Sequence, residues 1–183
     1  MEYNQLAKAI HQDQINAGWY DDYRSDNTLI LLIKSELFEA FEAYRKESKI
    51  KALGQKYLGL LLYMSQEDEA LFIERFKNNV KDSFADELAD TVIRLLDFAG
   101  YKKMNLWAKN ERPILFDSLL PYLIALDLQL TKFYSEFSKD SISSIIFDIE
   151  NLANLYKIDL EAHIKLKLAY NKTRGKRHGN KAV

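Results

Sequence analysis

Apolar residues recur along this chain at intervals of three and four, almost from end to end. That is the period of a helix, and the alternation expected of a half-buried strand is absent. The spacing predicts an all-α fold with helices near 2–16, 28–47, 50–63, 67–80, 83–99, 114–137, 141–156 and 159–173. Glycine and proline are scarce, at six and two. The main breaks are "GWYDDYRSDN" (18–27), a polar, aromatic loop whose Asp26 or Asn27 would cap the next helix, and "NERP" (110–113). The segments "FAGYKKMNL" and "LANLYKIDL" each join a helix end to a turn and read as two similar helix stops in preference to a helix-pair duplication. No low-complexity linker divides the 183 residues, so 1–183 reads as a single domain.

One helix carries a carboxylate where an apolar side chain belongs. At about 100° per residue, Leu29, Ile33, Leu37, Ala40, Phe41 and Tyr44 share an arc with Glu36. Leu32 and Ala43 flank Glu36 on its other side. Glu39, three residues on, falls at the margin of the arc, whereas Glu42 points away among Ser35, Arg45 and Lys46. A second helix repeats the pattern. Phe84, Leu88, Val92, Leu95 and Ala99 form its apolar face, Glu87 sits at the edge and Asp90 follows at i+3. Asp86 and Asp97 fall near Asp90, on what reads as the polar side. Packing the two apolar faces together would bring Glu36, Glu39, Glu87 and Asp90 together. Several buried like charges are tolerable only if something neutralises them. A hard divalent cation, Mg²⁺ or Mn²⁺, does so with oxygen ligands alone. By spacing alone, a solvated charged face fits the two pairs as well as a metal site does. A di-iron carboxylate bundle would need Glu-x-x-His, and none of His11, His163 and His178 stands in that register.

Composition narrows the field modestly. The 26 Lys and Arg nearly balance 27 Asp and Glu, so net charge selects no partner, and a dedicated nucleic-acid binder is not expected. Cysteine is absent, which excludes disulfides and thiolate metal sites. No basic-then-apolar leader opens the chain, and apolar runs such as "LGLLLYM" are far too short for a membrane span. The default expectation is a soluble, cytoplasmic protein that does not bind membranes. The C-terminal stretch "KLKLAYNKTRGKRHGNK" gathers cations with Tyr170, Asn171, Thr173 and two glycines. This mixture suits phosphate contact and a plain solvated tail equally.

Four blocks taken together, "GWYDD", "SELFEAFEAYR", "DELADTVIRLLDFAG" and "KLAYNKTRGKRHGNK", resemble the MazG-like all-α nucleoside triphosphate pyrophosphohydrolases. The resemblance spans about half of the chain. It implies Mg²⁺ bound by Glu36, Glu39, Glu87 and Asp90, a base held with the help of His11 and Trp19, and a phosphate site lined by Asn171, Arg174 and Lys181. It implies hydrolysis of a (d)NTP at the α–β linkage to the monophosphate and pyrophosphate, in a homodimer or homotetramer. Glu39, at the arc's margin, is the residue expected to act as general base. Residues 49–82 and 107–157 are longer than the family pattern and read as insertions. The alternatives are a non-catalytic nucleotide- or nucleic-acid-binding helical module that uses the basic tail, and an interaction scaffold.

Overall fold

A computed structural model of the chain describes residues 2–46, 50, 52–106, 116–136 and 138–177. Among these the structure is all-α, with eight helices and no strand: α1 (Tyr3–Asn16), α2 (Asp26–Lys46), α3 (Gln55–Glu67), α4 (Glu69–Asn79), α5 (Phe84–Tyr101), α6 (Leu119–Ser135), α7 (Lys139–Leu155) and α8 (Leu160–Lys172). No helix among the described residues is long and apolar enough to cross a membrane.

Several helix starts are written in local chemistry. The side chains of Asp68, Ser83, Ser138 and Asp159 accept from the backbone N–H three residues on, at the heads of α4, α5, α7 and α8. The head of α2 is capped by Ser25 Oγ, which accepts from Thr28 N, not by Asp26 or Asn27. Helix α3 begins at Gln55, after an extended Gly54, and α6 begins at Leu119, after an extended Ser118, so both start later than the periodicity suggests.

The stops share one geometry. After α5, Lys103 has φ 53°, Met104 N bonds Ala99 O and Lys103 N bonds Gly100 O. After α7, Lys157 has φ 57°, Ile158 N bonds Ala153 O and Lys157 N bonds Asn154 O. After α1, Gly18 has φ 78°, Trp19 N bonds Gln14 O and Gly18 N bonds Ile15 O. All three are Schellman turns with a left-handed residue just past the helix. The two look-alike segments are therefore the same kind of stop.

Helix α5 is the hub, with α1, α2, α7 and α8 packed around it. Of its residues only Asp90, Arg94, Gly100 and Tyr101 escape burial. The helices of 107–157 belong to this main core: Leu126 and Phe133 of α6 and Ile146 and Ile149 of α7 are buried in it, and Phe133 meets Phe98 edge-on at 5.4 Å. The helices of 49–82 build a smaller core. There Leu58, Leu61, Phe72 and Phe76 pack on Leu166 and Tyr170, with the Phe76 and Tyr170 rings stacked at 4.4 Å. They cover the side of α8 that α5 does not, and so fix α8 beside the acidic stretch of α5.

Candidate functional site

Packing α2 on α5 brings the anomalous carboxylates together. Carboxylate oxygens of Glu36, Glu39 and Glu87 all lie within 4.8 Å of one another. Glu36 and Glu87 are buried, at 8% and 4% exposure, while Glu39 is exposed. The three open on a cavity of about 250 Å³ that is also lined by Asp90, Asn171 and Arg174. Trp19 lines it as well.

Cations on the same walls already answer part of this charge. Arg94, one turn beyond Asp90 on α5, donates from Nε to Glu36 Oε1 at 3.0 Å. Lys167 of α8 places Nζ 2.7 Å from Asp86 Oδ2 and 2.7 Å from Asp90 Oδ2. Asp90 is thus held by an ammonium and stands outside the Glu36–Glu39–Glu87 set. The expectation that Asp86 and Asp97 occupy a polar, outward side is overturned: both are buried, Asp86 completely. The wheel correctly put them on one face with Asp90, but α8 covers that face at Asp86, and α1 and the loop cover it at Asp97.

Lys167 belongs to this site and not to a solvated tail. The signal was present in the sequence, because on α8 Leu160, His163, Ile164 and Tyr170 bracket Lys167 as apolar residues bracket Glu36. Its burial alone would lower the ammonium's affinity for its proton, but Asp90 and Asp86 overcome that and hold it above the ordinary lysine range. Burial raises the Glu36 carboxyl, with Asp90 adding to the effect and Arg94 opposing it. Burial also pushes Glu87 up to about 9, against the pull of Lys167 and with the help of Asp90, Asp86 and Glu36. Glu87 therefore holds a proton at neutral pH unless more positive charge arrives.

The aromatic loop is less exposed than its polarity suggests. Its Schellman turn at Gly18 folds Trp19 back to 7% exposure, and the Arg24 guanidinium lies over the Trp19 ring at 4.6 Å. One ring face that could have stacked on a base is thereby covered. The tail holds this loop down. Arg177 donates from Nε to Gly18 O at 2.9 Å and pairs with Asp22 at 2.5 Å, and Lys176 pairs with Asp21 at 2.7 Å. Of the tail cations, Lys176 and Arg177 are thus engaged with the loop, and Arg174 reaches the cavity. Lys181 and His178 lie outside the described residues.

His11 does not line the acidic cavity. Its Nδ1 stands 2.8 Å from Asp97 Oδ1, while Tyr20 donates its hydroxyl to Asp97 Oδ2 at 2.9 Å. Asp97 does line the cavity, so His11 acts on it one residue removed. Sequence reading passed over Arg24, Arg94 and the place of Asp97. Arg94 shares a face with Glu87 and Asp90 at i+7 and i+4 and was within reach of the same arithmetic. Arg24 sits in a loop and carries no periodic signal.

The donor set suits a hard divalent cation. It is made of carboxylate oxygens only, it comes from two helices, and burial raises the Glu36 carboxyl and leaves Glu87 holding a proton that a cation would displace. Glu36, Glu39 and Glu87 could ligate such an ion directly, with Asp90 beside them on Lys167. No family model matches the chain, and neither a curated protein nor a solved structure matches it.

Proposed function

We propose that the chain is a nucleoside triphosphate pyrophosphohydrolase that depends on Mg²⁺ or Mn²⁺ and converts a (d)NTP to the monophosphate and pyrophosphate. One observation carries this reading. Three carboxylates from two helices converge in a cavity whose other wall offers Arg174 and Asn171, a pairing that suits a metal-bound polyphosphate. The motif resemblance points the same way.

A bound cation would polarise the phosphate oxygens and acidify a water. The remaining work falls to side chains. Glu36 and Glu87, fixed by burial, would hold their place without reorganising. Glu39 is exposed at the cavity margin and would take the proton of the water that attacks the α-phosphorus, as the bond to the bridging oxygen breaks and pyrophosphate leaves. Arg174 would offset charge growing on the departing pyrophosphate, and Asn171 would orient it. Lys167, paired with Asp90, would offset the repulsion among the acids.

The test is pyrophosphate release across NTPs and dNTPs, with Mg²⁺, with Mn²⁺ and with chelator. Metal-dependent release that disappears in Glu36→Gln upholds the proposal, and release unaffected by chelator or by Glu36→Gln refutes it.

A second reading has its own observation. Arg94 on Glu36 and Lys167 on Asp90 already neutralise two of the acids, as they would in a purely structural network within a non-catalytic nucleotide-binding module. Nucleotide binding that is indifferent to metal, with no turnover, would favour it.

A further inference from the structure

Arg24 is 5% exposed and lines the acidic cavity. Its guanidinium is laid on the Trp19 ring at 4.6 Å, so one π face is taken up. Its Nε and Nη2 are buried and have no hydrogen-bond partner among the described residues. Those two nitrogens form one edge of the planar group, the edge that grips an oxyanion with two parallel N–H bonds.

Among the described residues no acceptor bonds that edge. Asp97 is the acid whose charge acts on Arg24, but its Oδ1 is engaged with His11 and its Oδ2 accepts from Tyr20. Arg94 and Arg177 repel Arg24. A buried guanidinium edge without an acceptor is costly, and packing the same volume with an apolar side chain would cost less. An oxyanion entering the cavity would supply the missing acceptor once the guanidinium turned that buried edge toward it.

We propose that Arg24 is a polyphosphate-gripping residue of this cavity, its Nε–Nη2 edge taking two oxygens of a substrate phosphate, and that Trp19 is the positioning residue that holds the guanidinium flat. The proposal rests on the polyphosphate reading of the site. It changes the part given to Trp19 from a base platform to the support beneath an anion fork.

Titration calorimetry with inorganic tripolyphosphate, in Mg²⁺ at about 0.15 M salt, tests it without requiring turnover. Loss of one bidentate charge-assisted pair should weaken binding by roughly 10- to 100-fold in Arg24→Met. Arg24→Lys keeps the charge and loses the fork, so it should recover only a minor part of that loss. The melting temperature of ligand-free Arg24→Met should equal or exceed that of wild type, because an unpaired buried charge has been removed. Trp19→Phe keeps a ring beneath the guanidinium and should bind nearly as wild type, whereas Trp19→Leu should follow Arg24→Met.

Unchanged tripolyphosphate affinity in Arg24→Met, full rescue by Arg24→Lys, or no binding by wild type would each overturn the assignment. If Arg24→Met fails to fold, the comparison of Arg24→Lys with wild type decides the matter. Binding that depends on Arg24 in a wild-type protein that hydrolyses no triphosphate would uphold the fork and overturn the pyrophosphohydrolase. Normal turnover with an unchanged KM in Arg24→Met would do the reverse.

Discussion

Lys167 Nζ lies 2.7 Å from Oδ2 of Asp90, joining α8 to α5 across the edge of the carboxylate cavity. The same ammonium reaches the fully buried Asp86 at 2.7 Å. One cation thus pairs with two acids, one of them cut off from solvent. Truncating it leaves Asp86 charged and unpaired, or forces it to take up a proton. Lys167→Met should therefore destabilise the protein by about 3–5 kcal/mol in chemical denaturation. Adding Asp86→Asn should recover part of the loss, and the absence of any recovery would show that Lys167 matters for packing alone.

Glu87 carries a raised pKa, so its sign is that of a group whose charging opposes folding. Its contribution is fully present below the unfolded value of about 4.5 and is lost as pH rises toward about 9. In chelator, Glu87→Gln should remove this decline and melt higher than wild type at pH 8. Added Mg²⁺ or Mn²⁺ should stabilise wild type more strongly as pH rises and should stabilise Glu87→Gln and Glu36→Gln much less. Thermal scans with and without metal at pH 6 and pH 8 read both effects.

His163 runs the opposite way. It is 1% exposed on α8, neither ring nitrogen has a hydrogen-bond partner among the described residues, and burial drops its pKa to about 4. Its ring is neutral in the folded chain, so the unfolded chain gains the proton first. The stability it permits is present above about 6.5 and is lost as pH falls from there to about 4, a loss of about 3 kcal/mol. His163→Leu should flatten that acid limb. An acid limb in denaturation midpoint that is unchanged by the substitution would contradict the burial argument.

Gly100 sets the approach of α1 to α5. A Cβ there would stand 2.5 Å from Ala7 O and 2.7 Å from His11 Cβ, so the backbone of α1 would have to move. Gly100→Ala should cost about 1–3 kcal/mol despite its better helix propensity. It should also loosen His11 from Asp97. A melting temperature at or above wild type would mean that the helices separate without penalty.

What could be known from the sequence alone was local and periodic. Helix number and order follow from the three-and-four spacing, because each helix buries its own stripe and the stripe is written in its own residues. The placement of Glu36 among Leu29, Ile33 and Leu37 likewise marked it for burial, and Glu87 at the edge of its face repeated the mark. A helical wheel says which residues share a face. It does not say what covers that face. Only the tertiary structure decided that α8 lies over Asp86 and α1 beside Asp97, which made a polar side into an interior and gave Asp90 to Lys167. Nor could spacing pair His11 with Asp97, 86 positions away, or leave Arg24 over Trp19 with an empty edge. Those arrangements come from loops and from helices meeting, where geometry is set by the whole packed chain and no local repeat records it.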